Sequence, residues 1–513
     1  MRLSRAGFVL AREGVFSLVD ADALPPGPRL GVRLARAIER RDAGSGAARL
    51  AAALTRLGPP YVKLGQFLAT RPDVVGATIA SDLESLQDRM APFPQADAER
   101  VIDESFDKPR RELFLSIGPP VAAASIAQVH RAEIAGADGP RQAAVKVLRP
   151  GIEHRFQRDL DSFFFAARLG ERHSAEGRRL RLLATVETLA RSVAIETDLR
   201  LEAAAFSELA ENTRDDPDFR VPAVDWERTA RRVLTTEWVN GTALSDRVQL
   251  LAAGHDPVRL ARVLIQNFLR QAIRDGFFHA DLHPGNLFVD AEGRLVAVDC
   301  GIMGRLTLKE RRFLAEILYG FISKNWYRTA EIHFEAGYVP PHHSIEDFAQ
   351  AIRAIGEPIH DRPADEISMA KLLTLLFEVT SLFDMRTRPE LLLLQKTMVV
   401  VEGVARTLDR KLDMWMTAEP VVREWIERHL GPVGRIEDAA QELGGLGRLL
   451  GNAPGVLARA AGTMERLDQQ TRDGLVLAPE TVEAIGRAEG KRWRWVTAAL
   501  WTIAVLLAIW VLQ

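Results

Sequence analysis

One stretch limits what this chain can be more than any other. Phe278-His279-Ala280-Asp281-Leu282-His283-Pro284-Gly285-Asn286 runs into the apolar Leu287-Phe288-Val289, and after a short turn comes Leu295-Val296-Ala297-Val298-Asp299-Cys300-Gly301. The order is His-x-Asp, an Asn five residues after that Asp, an apolar run, and an Asp before a Gly. That is the spacing of a phosphotransferase catalytic loop followed by a metal-binding loop. The residue types suit the chemistry. Asp281 stands where a substrate hydroxyl would lose its proton. Asn286 and Asp299 offer hard oxygen ligands to a Mg²⁺ that bridges nucleotide phosphates. Pro284 and Gly285 fit a tight loop rather than a continuing helix. A plain hairpin whose Asp and Asn satisfy turn backbone would carry the same short pattern, so the other landmarks have to decide.

Upstream, Val121 to Ala132 precedes the polar turn Gly136-Ala137-Asp138-Gly139, and Ala143 to Leu148 then forms a short apolar strand with one lysine, Lys146. A lysine in an otherwise buried strand is the arrangement that aims an ammonium at phosphates. A hairpin just ahead of it should cover the nucleotide. Such a loop is usually rich in glycine. Here Ala122, Ala123 and Ala124 stand instead, each adding a Cβ, so a stiffer loop with an altered approach to the phosphates is expected.

Residues 185–210 read as one helix carrying Glu196, Asp198 and Glu202. Glu196 and Glu202 are six apart and lie off the same stripe. Glu202 is the expected partner of Lys146. Phe219 to Val224 and Arg232 to Val239 read as strands, the first at an edge because of Pro222. The second closes on Glu237-Trp238-Val239-Asn240-Gly241, a linker between lobes whose backbone, at Glu237 and Val239, would meet an adenine edge. Residues 258–276 read as a mostly buried helix with one arginine-lined wet edge. Past Gly301 the chain turns helical within a few residues. There is no long activation segment, and His279-Ala280-Asp281 lacks the arginine that would receive an activation-loop phosphate. A platform for docking a peptide substrate is therefore missing.

Residues 1–100 read mainly helical. Residues 3–19 suit a packing helix better than an amphipathic surface helix or a signal peptide, because Arg12 and Glu13 interrupt the apolar stretch. Ala47 to Leu57 is helical, Pro59-Pro60 interrupts, and Tyr61 to Leu68 resumes. Lys63 and Gln66, three apart, share a helix face, and Gly65 between them permits another backbone to approach. A further helix holds Leu83, Leu86 and Met90. At the other end, about 18 uncharged residues from Trp495 to Leu512 would span ~27 Å as a helix, close to the ~30 Å hydrocarbon core of a bilayer. Lys491, Arg492 and Arg494 precede them, which predicts a single-pass tail anchor with nearly the whole protein on the cytoplasmic side.

Composition closes off other classes. Lys+Arg number 67 against 69 Asp+Glu, for a net charge of -2, which argues against a dedicated nucleic-acid binder. The single cysteine, Cys300, forbids an intrachain disulfide and any multi-cysteine zinc site. No flavin fingerprint appears, which argues against a quinone-ring hydroxylase.

Over roughly residues 50–400 the chain resembles the UbiB/ADCK family of atypical kinase-like proteins. The motifs carrying the resemblance are Lys63-Leu64-Gly65-Gln66, the Ala-rich loop Ala122-Ala123-Ala124-Ser125, Lys146, Glu196-Thr197-Asp198, Glu202, Asp281, Asn286 and Asp299. Common kinases have neither the Lys-x-Gly-Gln nor the Glu-x-Asp element. Cys300 replaces the usual Phe of Asp-Phe-Gly. The resemblance implies that the helix with Lys63 and Gln66 lies across the cleft where a peptide would dock, near Glu196 and Asp198, as a regulatory element. It implies that Ala122 to Ser125 bias nucleotide handling, that ATP or ADP binds with Mg²⁺, and that weak ATPase activity supports ubiquinone biosynthesis at a membrane.

The resulting expectation is an α+β chain with an atypical, bilobal protein-kinase-like fold, an N-terminal helical extension and a C-terminal transmembrane helix. The extension covers 1–100, the N-lobe 101–240, the helical C-lobe 241–430, a helical linker 431–490 and the anchor 493–513. The expected function is that of a kinase or ATPase at the cell inner membrane, driving the handling of membrane lipid or isoprenoid quinone intermediates alongside quinone-biosynthesis proteins, with no nucleic-acid partner. A conventional protein kinase and a non-catalytic, nucleotide-switched scaffold are the competing readings.

Overall fold

The computed structural model describes residues 2–18, 26–40, 46–69, 90–173, 180–358, 382–385 and 389–430, with positions 75, 79, 83, 178, 379 and 380 between them. The helix expected around Leu86, the linker 431–490 and the apolar tail 493–513 lie outside these residues. Among the described residues no helix is long and apolar enough to cross a membrane. The fold below is that of Met1–Ile426.

The chain opens with α1 (Arg2–Arg12), α2 (Pro26–Ala37), α3 (Gly46–Leu57) and α4 (Pro59–Ala69). Ala6 and Ala11 of α1 are buried and α1 lies against α3, so it is a packing helix. The break between α3 and α4 is made by Gly58, at φ +101°, with the Arg155 guanidinium pressed where a Cβ would point. Pro59-Pro60 does not interrupt a helix but starts one, because proline fits a first turn whose N–H groups have no intrahelical partner.

Next, α5 (Gln95–Ser105) buries Ala98, Val101 and Ile102 on one face, against Ala132, Ile134, Ala143, Val145, Val147 and Val233. The boundary expected at residue 100 thus falls inside a helix that packs on the first sheet. After the single turn α6 (Arg110–Leu113), that sheet runs β1 (Ser116–Ala123), β2 (Ala127–Gly136), β3 (Gly139–Leu148) and β5 (Val233–Glu237), antiparallel and in that order. Gly136 pairs with Gly139, so Ala137-Asp138 is the two-residue hairpin turn read from sequence. In β3, Ala143, Val145 and Val147 face the α5 core by strand alternation, which turns Lys146 to the opposite face.

Then α7 (Ile152–His173) receives α4, with Tyr61 and Phe163 edge-on at 5.0 Å. The single helix expected over 185–210 is two helices, α8 (Leu182–Glu196) and α9 (Leu199–Asn212). Thr197 ends the first. Asp198, in extended backbone, caps the second by accepting the Arg200 N–H, and the Leu199 N–H turns away to the Arg231 carbonyl at 2.9 Å. β4 is only Phe219–Arg220, parallel to β9 (Leu295–Ala297) at a sheet edge. The strand expected to reach Val224 stops before Pro222, which has no N–H to give a ladder, and Val224 meets Thr236 in an isolated bridge.

The second sheet has the order β4-β9-β8-β6, with β6 (Gly241–Ala243) and β8 (Leu287–Asp290). Short α10 (Arg247–Ala252) leads to α11 (Pro257–Leu269), capped by Asp256, and the chain then widens into a π turn over Arg270–Asp275. The expected α-helix to 276 therefore changes pitch at Arg270, which turns Gln271, Ala272 and Ile273 inward. β7 (Phe277–His279) pairs with β10 (Met303–Arg305), so the site loops lie between two paired strands. Helices α12 (Leu308–Ile322), α13 (Trp326–Glu335), α14 (Ile345–Gly356), α15 (Pro389–Leu408) and α16 (Met414–Leu430) complete the unit, and α15 packs on α11.

Gly304 in β10 faces the Phe278 ring, and a Cβ there would lie 2.1 Å from it. Gly304→Ala should therefore cost about 1–3 kcal/mol, as overpacking of a filled core does, read as a lower urea midpoint.

Candidate active site

Lys146 leaves β3 into a site where its Nζ meets Glu202 Oε1 at 2.7 Å and Asp299 Oδ2 at 2.9 Å. The two acids come from different places: Glu202 from the first turn of α9, Asp299 from the turn after β9. The helix break at Asp198 is what points Glu202 inward, since α9 starts afresh there with Leu199, Glu202, Ala203 and Phe206 as its buried face. Burial alone would lower the lysine's pKa, but the charges of Asp299 and Glu202 outweigh it and hold Lys146 well above the ordinary range. Burial likewise disfavours the Asp299 carboxylate, yet the Lys146 charge and hydrogen bonds from Lys146 and the Gly301 N–H keep it ionised and well below the usual range. For Glu202 burial wins, and its pKa is pushed up to about 7 despite Lys146.

The loop expected to be catalytic is built around His279. Its Nδ1 accepts the Asp281 N–H at 3.0 Å, which leaves Nε2 to carry the proton and donate to the Asp299 carbonyl at 2.5 Å. Burial lowers the His279 pKa, in keeping with a neutral ring. The His279 N–H is in turn donated to Gln271 Oε1 at 3.0 Å, and Gln271 Nε2 donates to Asn267 Oδ1 at 2.6 Å. From α15 the buried Thr397 hydroxyl reaches the Ala280 carbonyl at 3.0 Å. Asp281 itself is partly exposed, its carboxylate 3.9 Å from His283 Nε2. Asn286 Nδ2 donates to the Asp281 carbonyl at 3.2 Å, which commits the amide nitrogen inward and leaves the amide oxygen for a cation.

The loop expected over the phosphates is the turn between β1 and β2. Ala122 and Ala123 end β1, and Ala124 N–H donates to the Ala127 carbonyl at 2.8 Å. Arg149 locks this turn: its Nε and Nη2 both donate to the Ala124 carbonyl, at 3.1 and 2.9 Å, while Nη2 also reaches the Ala91 carbonyl at 2.8 Å. Ser125 is fully buried beneath the turn rather than presented at its tip. The stiffness expected from alanine is thus reinforced by an arginine clamp.

At the linker, Glu237 closes β5, and both oxygens of its carboxylate accept from Arg220 Nη1, at 3.1 Å each, while the Ala223 N–H donates to Oε2 at 3.4 Å. Arg220 Nε also donates to Asp290 Oδ2 at 3.0 Å, so one guanidinium ties the linker to β8. Val239 lies two residues on, between β5 and β6. Lys63 of α4 forms an ion pair with Glu196 at the end of α8. Gln66 is half-buried on the same helix. Asp198 does not join them. It caps α9 and takes Arg200 in a bidentate pair, with Nε at 2.9 Å and Nη2 at 2.7 Å.

The sequence pairing of Lys146 with Glu202 is met, and Asp299 adds a second carboxylate to it. Arg149, Arg220, Gln271 and Thr397 were not singled out from sequence. Arg149, three residues past Lys146, was the findable one, because an arginine leaving a buried strand beside a glycine-poor turn can replace backbone freedom with side-chain donors.

The acid Glu202 supplies a pH prediction. Its folded pKa of about 7 lies above the ordinary 4.5, so between those values the folded chain holds a proton that the unfolded chain has lost. Its contribution to stability therefore falls as pH rises through that window. Urea titrations should show wild type losing stability relative to Glu202→Gln on going from about pH 5 to about pH 7, and a difference that does not change with pH would count against a raised Glu202.

Residues 85–333 match the model of the ABC1 atypical kinase-like domain, and residues 352–413 match the UbiB helical domain. A probable protein kinase UbiB of Marinobacter nauticus is 39% identical over 400 residues, which cover 77% of this chain and 73% of that protein. One from Azotobacter vinelandii is 37% identical over 409 residues, covering 79% and 76%. A solved Mycobacterium tuberculosis chain, from the structure titled as the complex of Rv3197 with erythromycin, is 25% identical over 70% of this chain and 90% of its own, at a TM-score of 0.49, too low to carry weight. The ordered motifs, the kinase-like domain and the helical domain whose Thr397 pins the catalytic loop agree: this chain belongs to the UbiB/ADCK family of atypical kinase-like proteins.

Proposed function

We propose that this chain is a magnesium-nucleotide-dependent atypical kinase or ATPase, anchored in the inner membrane by its apolar tail, that supports ubiquinone biosynthesis by ATP-driven handling of lipid intermediates. The observation that carries this reading is Lys146 held between Glu202 and Asp299 at 2.7 and 2.9 Å, with Asp281 and Asn286 on the adjoining loop. An isolated ion triad of this kind is a costly thing to keep half-buried, and a phosphate-binding duty is a reason to keep it.

Bound ATP with Mg²⁺ supplies the activated phosphoryl group and a cation that neutralises its charge. The residues present suit that group. Asp299 keeps lone pairs on both carboxylate oxygens and is ionised, and Asn286 offers its amide oxygen, so both would hold Mg²⁺. Lys146 would hold the phosphates, with Glu202 keeping it aimed. Asp281 would take the proton from an attacking hydroxyl or water. The turn Ala122-Ala123-Ala124-Ser125 would cover the phosphates, and the backbone at Glu237 and Val239 would meet the adenine. Lys63 and Gln66, with Glu196 and Asp198, would regulate access on the side where a peptide substrate would dock.

The relatives' names say protein kinase, which favours a second reading with a protein as phosphoryl acceptor. Against it, only six residues separate Gly301 from the start of α12 at Leu308, too few for an activation segment. The lipid reading also draws on the tail from Trp495 to Leu512, whose basic flank would stay cytoplasmic.

In purified full chain, ATP hydrolysis should require Mg²⁺ and should fall in Asp299→Asn by more than the ~10–100-fold typical of losing an outer-shell partner. Quinone profiling of a deletion strain should show restored ubiquinone with wild type and accumulated intermediates with Asp299→Asn. Full rescue by the variant would sink the catalytic reading, and phosphate appearing on a protein substrate would favour the second.

A further inference from the structure

Away from the nucleotide site, the loop between α13 and α14 carries Pro340-Pro341-His342-His343, and the segment ahead of α15 carries Asp384. Asp384 Oδ2 lies 3.4 Å from His343 Nε2 and 3.7 Å from His342 Nε2. The two imidazoles lie side by side with centroids 4.2 Å apart, and one atom from each of the three side chains falls within 4.8 Å of the others. Donors bound to a tetrahedral ion at ~2.1 Å sit about 3.4 Å from each other, so the Asp384–His343 spacing is that of a coordination edge and the Asp384–His342 spacing is close to it.

The backbone at Asp384 supplies an independent observation. The chain there ends a helical turn: Phe383 N–H donates to the Val379 carbonyl at 3.1 Å and Met385 N–H to the Thr380 carbonyl at 3.0 Å. Asp384 occupies the left-handed position of that ending, at φ +48°. Glycine takes this position without strain, and a negative charge beside a helix C-terminus opposes the helix dipole. Aspartate is among the few non-glycine residues that enter this region readily, so the penalty is the charge at the helix end, and its carboxylate is turned toward the two imidazoles. A bound cation would offset that penalty. His343 is the fixed member of the set, its side chain only 20% exposed and its ring 5.3 Å from Phe383, which is part of the core around α13 and α14. His342 and Asp384 are open, at 65% and 68%, so an ion can enter from solvent.

We propose that His342, His343 and Asp384 form a binding site for a divalent transition-metal ion, with Zn²⁺ as the ion that two imidazoles, one carboxylate and near-tetrahedral spacing fit best. Three protein ligands leave one position for water. The site joins the α13–α14 loop to the segment before α15, and its occupancy clips the two together. It is independent of the nucleotide reading, because it shares no residue with that site.

The test is Zn²⁺ uptake by chelator-stripped full chain, measured by calorimetry and by metal analysis after desalting, in wild type, Asp384→Gly, Asp384→Asn and His343→Ala. Asp384→Gly is the key variant, because it removes the carboxylate and with it the charge at the helix end, so its metal-free fold should melt no lower than wild type. Wild type should take up one Zn²⁺ per chain more than Asp384→Gly, with affinity reduced at least tenfold in each variant, and Zn²⁺ should raise the melting temperature of wild type only. Ions bound at Asp281 or Asp299 persist in every variant and cancel in the comparison. Equal uptake by wild type and Asp384→Gly, or no uptake by either, overturns the proposal. Equal uptake would leave these side chains as a histidine–carboxylate pair without a metal.

Discussion

Lys146 is where three separate parts of the fold are made to agree. β3 supplies the ammonium, α9 supplies Glu202, and the turn after β9 supplies Asp299. Each of these groups would be costly if stranded alone in a site this closed, because a half-buried charge loses most of its hydration. Together they leave an ionised lysine and an ionised Asp299, with Glu202 poised near neutrality. Any shift of α9 or of the Asp299 turn leaves a charge unpaired, so the triad specifies the site's geometry more than it adds net stability.

A second set of contacts holds the His279–Asn286 loop against that triad. His279 spans from the Asp281 N–H to the Asp299 carbonyl, so the loop that would carry the base and the turn that would carry the metal ligand move as one. Gln271, turned inward by the π turn, fixes the His279 backbone, and Thr397 fixes the Ala280 carbonyl from the helical domain. The family's helical domain is therefore in hydrogen-bond contact with the loop that defines the kinase-like domain. On the other side, the Lys63–Glu196 pair joins the N-terminal helices to the residue two before the α9 cap. Glu196 of that pair stands six positions and one helix break before Glu202, the acid that meets Lys146.

Much of the site was legible in the residues. The spacing from His279 to Asp299 and the lone lysine in an apolar strand follow from local period and chemistry, whereas Glu202 was only the expected partner until the packed chain brought it to Lys146. The hairpin at Ala137-Asp138 was legible for the same reason, since a short polar turn between strands leaves few backbone options. What misled was continuity. An apolar, helix-forming run over 185–210 gives no sign that Arg231 will take the Leu199 N–H, and Pro59-Pro60 looks like an interruption until Gly58 is seen to make the break. The Arg220 and Thr397 contacts were invisible because their partners are acids or a backbone carbonyl 17 to 117 positions away.

By itself, then, the order of residues determined which chemical groups are available and which lie on strand, turn or helix, because those depend on neighbours a few positions apart. Tertiary structure alone decided which acid faces which base: that Lys63 takes Glu196, that Asp198 turns away to cap a helix, and that Asp299 joins Glu202 on one ammonium. The physical reason is that charge pairing and desolvation act through space over a few ångströms, and only the packed chain sets those distances.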